Sequence, residues 1–345
     1  MKKSLIALAV LAASGAAMAQ SSVTLYGIAD ANFGQRKVTT TAGANTTVVK
    51  NTGIFDGGAN GLSASRWGIR GTEDLGGGLK ANFNLEQRLN VNDGTLNSLK
   101  QFNGRSVVGL SGGFGSVDLG RDYTPLFLLS NASDVDGFSP YTTTSAGIVR
   151  RDSSFNYTSP NFSGFTVKAQ VGHNTSKTTL NGAVPVGGEA KNNGLGLSGV
   201  YASGPLMVGL AYDGQKGLSG APETKALGLG ASYDFSVAKL FANVKQSKIT
   251  QTIPLLTPDI KDREINLGVS APLGAASLVA GVGRNKTEVA GVSTTKTDFV
   301  LGADYNLSKR TKAYFRTGGD KQTSSSVGSA TVKSVGYGIG IRHVF

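Results

Sequence analysis

Leu79-Lys80-Ala81-Asn82-Phe83-Asn84-Leu85-Glu86-Gln87-Arg88 alternates between apolar and polar side chains. Leu79, Ala81, Phe83 and Leu85 fall on one face; Lys80, Asn82, Asn84, Glu86 and Arg88 fall on the other. A period of two is that of a β-strand whose faces meet different surroundings. Working outward, Phe165, Val167, Ala169 and Val171 alternate with Thr166, Lys168, Gln170 and Gly172. Ala238, Leu240, Ala242 and Val244 oppose Lys239, Asn243 and Lys245. Phe299, Leu301, Ala303 and Tyr305 oppose Asp298, Gly302 and Asp304.

A sandwich strand alternates too, so two further features decide for a barrel. The second face is charged or very small, as at Gly228, Gly230, Ser232 and Gly336, Gly338, Gly340, which suits a wall beside water. Short turns such as Asp74-Leu75-Gly76-Gly77, Ser111-Gly112-Gly113-Phe114 and Ala271-Pro272-Leu273-Gly274 alternate with longer polar stretches, the pattern of an outer-membrane barrel. The runs number about 16, an even count as single-chain bacterial barrels require. They lie at 23–35, 62–71, 78–89, 102–111, 116–123, 151–158, 164–174, 191–202, 205–215, 224–234, 236–249, 261–270, 275–287, 296–306, 311–319 and 334–345. The last closes with Val335, Tyr337, Ile339, Ile341, His343 and Phe345 on one face. It is expected to pair with the first, Val23 to Gln35, because lipid tolerates no open sheet edge. The fold class is all-β: a 16-stranded antiparallel transmembrane β-barrel, wide enough for an aqueous channel.

Composition agrees. Only 39% of residues are hydrophobic while glycine numbers 49, too few apolar groups for a dense core of this length but enough for an outer band around a wet interior. Cysteine is absent, so no disulfide is available. Residues 1–19 read as a signal peptide: Lys2 and Lys3, an apolar run from Leu5 to Ala13, and Ala17-Met18-Ala19 as the cleavage site. The run is too short for a spanning helix. The mature barrel is expected to cover 20–345. The formal net charge is +12; loss of Lys2 and Lys3 lowers it by two, to +10. The cations are spread along the chain, with no long basic run and no nucleic-acid motif, which suits a channel lining.

Other motifs point nowhere else. Gly194-Leu195-Gly196-Leu197-Ser198-Gly199 matches a dinucleotide fingerprint but lies inside a period-two run, where no helix can open. Asp134-Val135-Asp136-Gly137 resembles the start of a calcium loop without its remaining ligands. His173 and His343 are the only histidines, so a Ser-His hydrolase site has little to draw on, and a His/Cys metal cluster nothing. No cofactor, no metal and no enzymatic activity are expected. A structural barrel with a closed lumen would not need Lys80, Arg88, Lys168, Lys239 and Lys245 facing inward.

The chain resembles the trimeric general porins of β-proteobacteria. The resemblance runs through Ser22-Val23-Thr24-Leu25-Tyr26-Gly27, then Ser65-Arg66-Trp67-Gly68-Ile69-Arg70-Gly71-Thr72-Glu73-Asp74-Leu75-Gly76-Gly77-Gly78-Leu79-Lys80-Ala81. It continues in Gly115-Ser116-Val117-Asp118-Leu119-Gly120-Arg121-Asp122, Tyr157-Thr158-Ser159-Pro160-Asn161-Phe162, Asn306-Leu307-Ser308-Lys309-Arg310-Thr311 and Gly340-Ile341-Arg342-His343-Val344-Phe345. It covers essentially all of 20–345 and leaves out the external loops. It implies a homotrimer in outer-membrane lipid and lipopolysaccharide, and a third long loop folded into the lumen, here Tyr123 to Val149. Pro125, unsuited to a strand interior, and the length of the segment agree with that loop.

Alternation assigns the pore charges. With Trp67 and Ile69 toward lipid, Arg66 and Arg70 face the lumen. Val108 and Leu110 leave Arg105 inward. Counting back by two from Phe155 and Tyr157 places Arg150 and Asp152 inward. By resemblance, Arg66 and Arg150 belong to the basic side of the constriction and Glu86 to the opposing acids. Asp134 and Asp136 stand where enteric porins carry an acidic motif. The expected function is a water-filled, anion-preferring channel for passive diffusion of small hydrophilic solutes; the alternative is a solute-specific channel with a binding site in the lumen.

Overall fold

The computed structural model describes residues 22–137, 147–176, 190–216, 222–250, 258–326 and 328–345. The strands are β1 (Ser22–Ala42), β2 (Asn45–Asp56), β3 (Arg66–Gly76), β4 (Leu79–Arg88), β5 (Ser106–Gly112), β6 (Gly115–Tyr123), β7 (Arg150–Thr158), β8 (Phe165–Ser176) and β9 (Ala190–Ser203). They continue as β10 (Leu206–Lys216), β11 (Glu223–Asp234), β12 (Lys239–Thr250), β13 (Ile260–Leu273), β14 (Ala276–Val289), β15 (Val292–Asn306), β16 (Thr311–Ser324) and β17 (Thr331–Val344). Among the described residues two helices interrupt them, α1 (Gly57–Asn60) and α2 (Pro125–Ala132).

All strands pair antiparallel with their neighbours, and β17 returns to β1, from Ile28↔Val344 to Thr41↔Thr331. Phe345 extends the seam by exchanging backbone hydrogen bonds with Gly27 at 2.9 and 3.1 Å. The expected closure between the first and last strands is therefore present. The upper half of β1 pairs with β2 and its lower half with β3, so β2 and β3 form one broken stave. Seventeen strands thus make a closed barrel of 16 staves.

The break is the main departure from the alternation. Residues 36–61 read as a loop, but β1 runs on to Ala42, turns through Gly43-Ala44 and returns as β2. Thr39, Thr40, Thr41, Thr46, Thr47, Val48 and Val49 are β-branched and hold a hairpin without an apolar face. Gly43, at φ +58°, opens its two-residue turn. Here both faces meet water, so no alternation is required. Between β2 and β3 the chain turns inward. Buried Asp30 accepts from the Ser63 and Leu62 amides at 2.9 and 3.2 Å and from the Tyr314 hydroxyl at 2.5 Å.

The exposed apolar side chains, among them Leu25, Trp67, Leu119, Phe155, Leu229, Ile265, Leu301 and Ile339, lie on the outer wall. Among the described residues a compact apolar cluster lies inside, where Leu126 and Leu129 of α2 meet Ala211 and Ala226. Thr124 caps α2, its hydroxyl accepting from the Phe127 amide at 3.2 Å and donating to the Ile148 carbonyl at 2.6 Å. Pro125 takes the first helical position, where a missing N–H costs nothing.

Candidate functional site: the channel constriction

The third long loop, as far as Gly137, lies against the inner wall, where glycines make room for it; its residues 138–146 lie outside the described residues. A Cβ on Gly228 would stand 2.6 Å from Leu126, one on Gly209 2.7 Å from Leu129, and one on Gly268 2.5 Å from Val135. The small inner face of β10, β11 and β13 is thus a groove for the loop. It does not face open water, as the sequence suggested for Gly228 and Gly230. The groove leads to Arg316 of β16, whose Nε lies 2.9 Å from Asp136 and whose Nη1 lies 2.7 Å from Asp304. Arg316 is 2% exposed, and the pairing fixes the loop across the barrel.

The described part of the loop covers the wall from β9 to β16, and a lumen lies between it and the wall of β1 and β3–β7. There Arg66 and Arg88, opposite each other across β3 and β4, approach Glu86 with Nε–Oε distances of 3.8 and 3.9 Å. The Tyr123 hydroxyl accepts from Arg88 at 2.8 Å and from Arg150 at 2.9 Å, and donates to Glu86 at 3.3 Å. Tyr26 donates to Asn84 at 2.8 Å and to Glu86 at 3.3 Å, and carries Arg70 over its ring at 5.1 Å. Two permanently charged guanidiniums, Arg66 and Arg88, therefore stand beside one carboxylate, and a third, Arg150, is linked to it through the Tyr123 hydroxyl.

Toward the turn end the balance changes. Arg105 binds Asp122 in a bidentate pair at 2.8 and 2.6 Å and has Asp118 4.0 Å away. These groups, with Arg70 and Lys168, line a cavity of about 690 Å³ open to the lumen.

Arg66, Arg150 and Glu86 are thus brought together; Arg70 is one residue removed, and Arg105 stands apart beside its two acids. Asp134 and Asp136 lie elsewhere. Both are buried, Asp134 accepting from the Asp136 amide at 2.8 Å and Asp136 held by Arg316. Arg88 joins the cluster by the same alternation that placed Glu86.

The count that put Asp152 inward fails. A register shift between Gly120 and Asp122, with Ser153 at φ +49°, breaks the period. Arg151 turns inward instead, to Asp213 at 3.0 Å and Gln170 at 2.7 Å, while Asp152 pairs with Arg121 and Lys100. The glycine motif at 194–199 is part of β9. His343 Nδ1 shares a hydrogen bond with the Thr311 hydroxyl at 2.8 Å, and among the described residues no group of His, Cys, Asp and Glu is arranged to hold a metal.

A closed barrel with an apolar outer wall, an inward loop and an open charged lumen defines an outer-membrane diffusion channel. The model of the family described as Gram-negative porin matches residues 5–324. The chain is 37% identical to outer membrane porin protein 32 of Delftia acidovorans and 32% identical to an outer membrane porin protein of Bordetella pertussis, over 100% of each chain. Among solved structures it resembles an anion-selective porin from Comamonas acidovorans, with a TM-score of 0.73 and 32% identity over 94% of this chain and 100% of that one. The chain belongs to the Gram-negative porin family. It is a passive channel of the bacterial outer membrane and not an enzyme.

Proposed function

We propose that the channel prefers anions and that three copies of the barrel, each with its own channel, assemble side by side in the outer membrane. The observation that carries the preference is a cluster of three guanidiniums and one carboxylate, with Arg66 and Arg88 beside Glu86 and Arg150 joined to it through the Tyr123 hydroxyl. Low-dielectric walls focus their field on the passage and raise the local concentration of small anions. The anion-selective porin from Comamonas acidovorans supports the same reading. In planar bilayers under a salt gradient, the reversal potential is expected to take the sign set by chloride; the cation sign would refute the preference.

The trimer is supported by the wall of β5. That strand has 7 residues, whereas a tilted strand needs about 9–11 to cross the hydrocarbon. Contact with a neighbouring protomer would shield this low wall, while outer-membrane lipid and lipopolysaccharide cover the remainder. An unboiled sample is expected to migrate as an oligomer on a denaturing gel and a boiled one as a monomer. A monomeric mass by light scattering in mild detergent would refute the trimer.

A second reading, one solute class held in the lumen, is favoured by the cavity of mixed charge around Arg105, Asp118 and Asp122. It requires conductance that saturates with a small zwitterionic or anionic solute. A strictly linear rise leaves simple diffusion.

Residues 1–19 are proposed to be removed on export. They lie outside the described residues.

A further inference from the structure

Arg151 is a cation buried beneath the entry of the inward loop. Its side chain leaves β7, crosses β8 and β9 and ends at Asp213 of β10, which is buried as well. Two glycines clear its course. A Cβ on Gly172 would stand 2.2 Å from the Arg151 Cδ, and one on Gly194 2.2 Å from its Nε. Gly196 does the same for the loop, since a Cβ there would stand 2.7 Å from Pro125. Gly194 and Gly196, part of the run that matches a dinucleotide fingerprint, are thus a trough for Arg151 and for the first residue of α2. Arg151 reaches this trough only because of the bulge. Without the register shift between Gly120 and Asp122 and the positive φ of Ser153, it would lie on the outer face with Phe155 and Tyr157. The Ser154 hydroxyl holds the bulge by donating to the Gly120 carbonyl at 2.7 Å.

Arg151 Nη2 donates to both Asp213 oxygens, at 3.0 and 3.1 Å, and Nη1 donates to Gln170 Oε1 at 2.7 Å. Gln170 is also buried. Its amide nitrogen donates to Asn156 Oδ1 at 2.7 Å and to the Tyr123 and Asp122 carbonyls at 3.2 and 3.4 Å. A guanidinium only donates and a carbonyl only accepts, so the Gln170 amide fits in one orientation, oxygen toward Arg151 and nitrogen toward Tyr123. The Tyr123 amide in turn donates to the Asp122 carboxylate at 2.7 Å. The backbone of Tyr123 is therefore held at both of its polar groups. Its hydroxyl is the point that Arg88, Arg150 and Glu86 share.

We infer that Arg151, with Asp213 and Gln170, positions the constriction arginines and so tunes ion passage without touching an ion. The relay runs from Asp213 through Arg151 and Gln170 to the Tyr123 carbonyl, and from the Tyr123 hydroxyl to the guanidiniums. Asp213 neutralises Arg151, so the relay acts on the ions through placement and not through the field of Arg151. Arginine is required here. Its planar fork serves a carboxylate and an amide at fixed angles, which a single ammonium on a flexible stem does not. The inference rests on the anion preference proposed above only for the direction in which selectivity changes.

The test uses the full porin in planar bilayers, with open-channel noise and the reversal potential in a potassium chloride gradient read for each variant. Arg151→Lys keeps a cation beside Asp213 and loses the fork. Gln170→Leu keeps the Arg151–Asp213 pair and loses the hold on Tyr123. Heat-modifiability on a denaturing gel shows which variants are folded. Arg151→Met/Asp213→Leu, which leaves no charge buried without a partner, replaces either one that fails. Each variant is expected to be noisier than the wild type. Its chloride-over-potassium permeability ratio should fall roughly twofold, the low end of what residues coupled in one hydrogen-bonded network show. Added to Tyr123→Phe, the same substitutions should change neither quantity further, because the shared hydroxyl is already gone. Noise and selectivity like those of the wild type, with only a lowered unfolding temperature, would make the relay a brace of the wall and overturn the inference. So would an undiminished effect in the Tyr123→Phe background, which would place its action elsewhere. A wild-type reversal potential of the cation sign refutes the anion preference instead, and the noise comparison still decides on the relay.

Discussion

The Arg150 guanidinium lies over the Tyr123 ring, 4.3 Å from its centroid, while one of its nitrogens donates to the Tyr123 hydroxyl at 2.9 Å. Tyr123 ends β6 and Arg150 begins β7, so this contact closes the base of the inward loop. It also presents a charge to the lumen. Tyr123→Phe keeps the ring and removes the hydroxyl that Arg88, Arg150 and Glu86 share. The arginines then lose a fixed point. Mean conductance is expected to stay close to that of the wild type and open-channel noise to rise in single-channel records; a trace as quiet as the wild type would show that the hydroxyl does not order them.

Beyond α2 the loop is held by the pair of Asp136 and Arg316. Asp136→Asn removes a buried charge-assisted pair, for which about 1.5–3 kcal/mol is typical. The barrel should still fold, with a lowered unfolding temperature and conductance that fluctuates as the loop leaves the wall. Deletion of residues 126–146 should raise single-channel conductance. Unchanged conductance in a folded deletion variant would contradict the inward placement.

Glycine at the groove is a packing requirement. Gly228→Leu places a side chain where Leu126 now lies, and overpacking of this kind costs about 1–3 kcal/mol. The expected result is a displaced loop and altered conductance in a barrel that still assembles. By contrast, Gly53→Ala on β2 meets nothing within 4 Å and should leave conductance as it is. Single-channel recording of the two variants checks both.

The staves were legible because lipid outside and polar surroundings inside impose a period of two on each strand, as in Leu79 to Arg88. Arg66, Arg70, Arg105 and Glu86 followed from the same count. Where that contrast ends, so did the legibility. Above the membrane, Thr39 to Val49 meet water on both faces, and the hairpin they form leaves no apolar mark. At Ser153 a bulge reverses the count, so Arg151 and Asp152 exchange faces. Gly228 and Gly230 looked like a water-facing wall because the sequence does not show that α2 fills the space beside them. Asp136 looked like a pore acid for the same reason: its partner, Arg316, is 180 residues away.

The leader makes a separate prediction. With cleavage after Ala19, the intact mass of protein taken from outer membranes should correspond to a chain beginning at Gln20. A mass that retains Met1 would contradict the processing reading and leave the barrel assignment untouched.

The central claim is that arginines at the constriction set the ion preference, and the reversal potential of Arg66→Gln/Arg150→Gln under a salt gradient tests it most directly. Both arginines face the lumen, and Glu86 keeps its Arg88 contact in the variant. With two of three guanidiniums neutralised, the carboxylate faces a single cation. The reversal potential is predicted to shift toward the cation side in a channel that still opens and still forms heat-modifiable oligomers. If the anion preference is unchanged and only thermal stability falls, the arginines act as struts between Glu86 and Tyr123, and the account of selectivity is wrong.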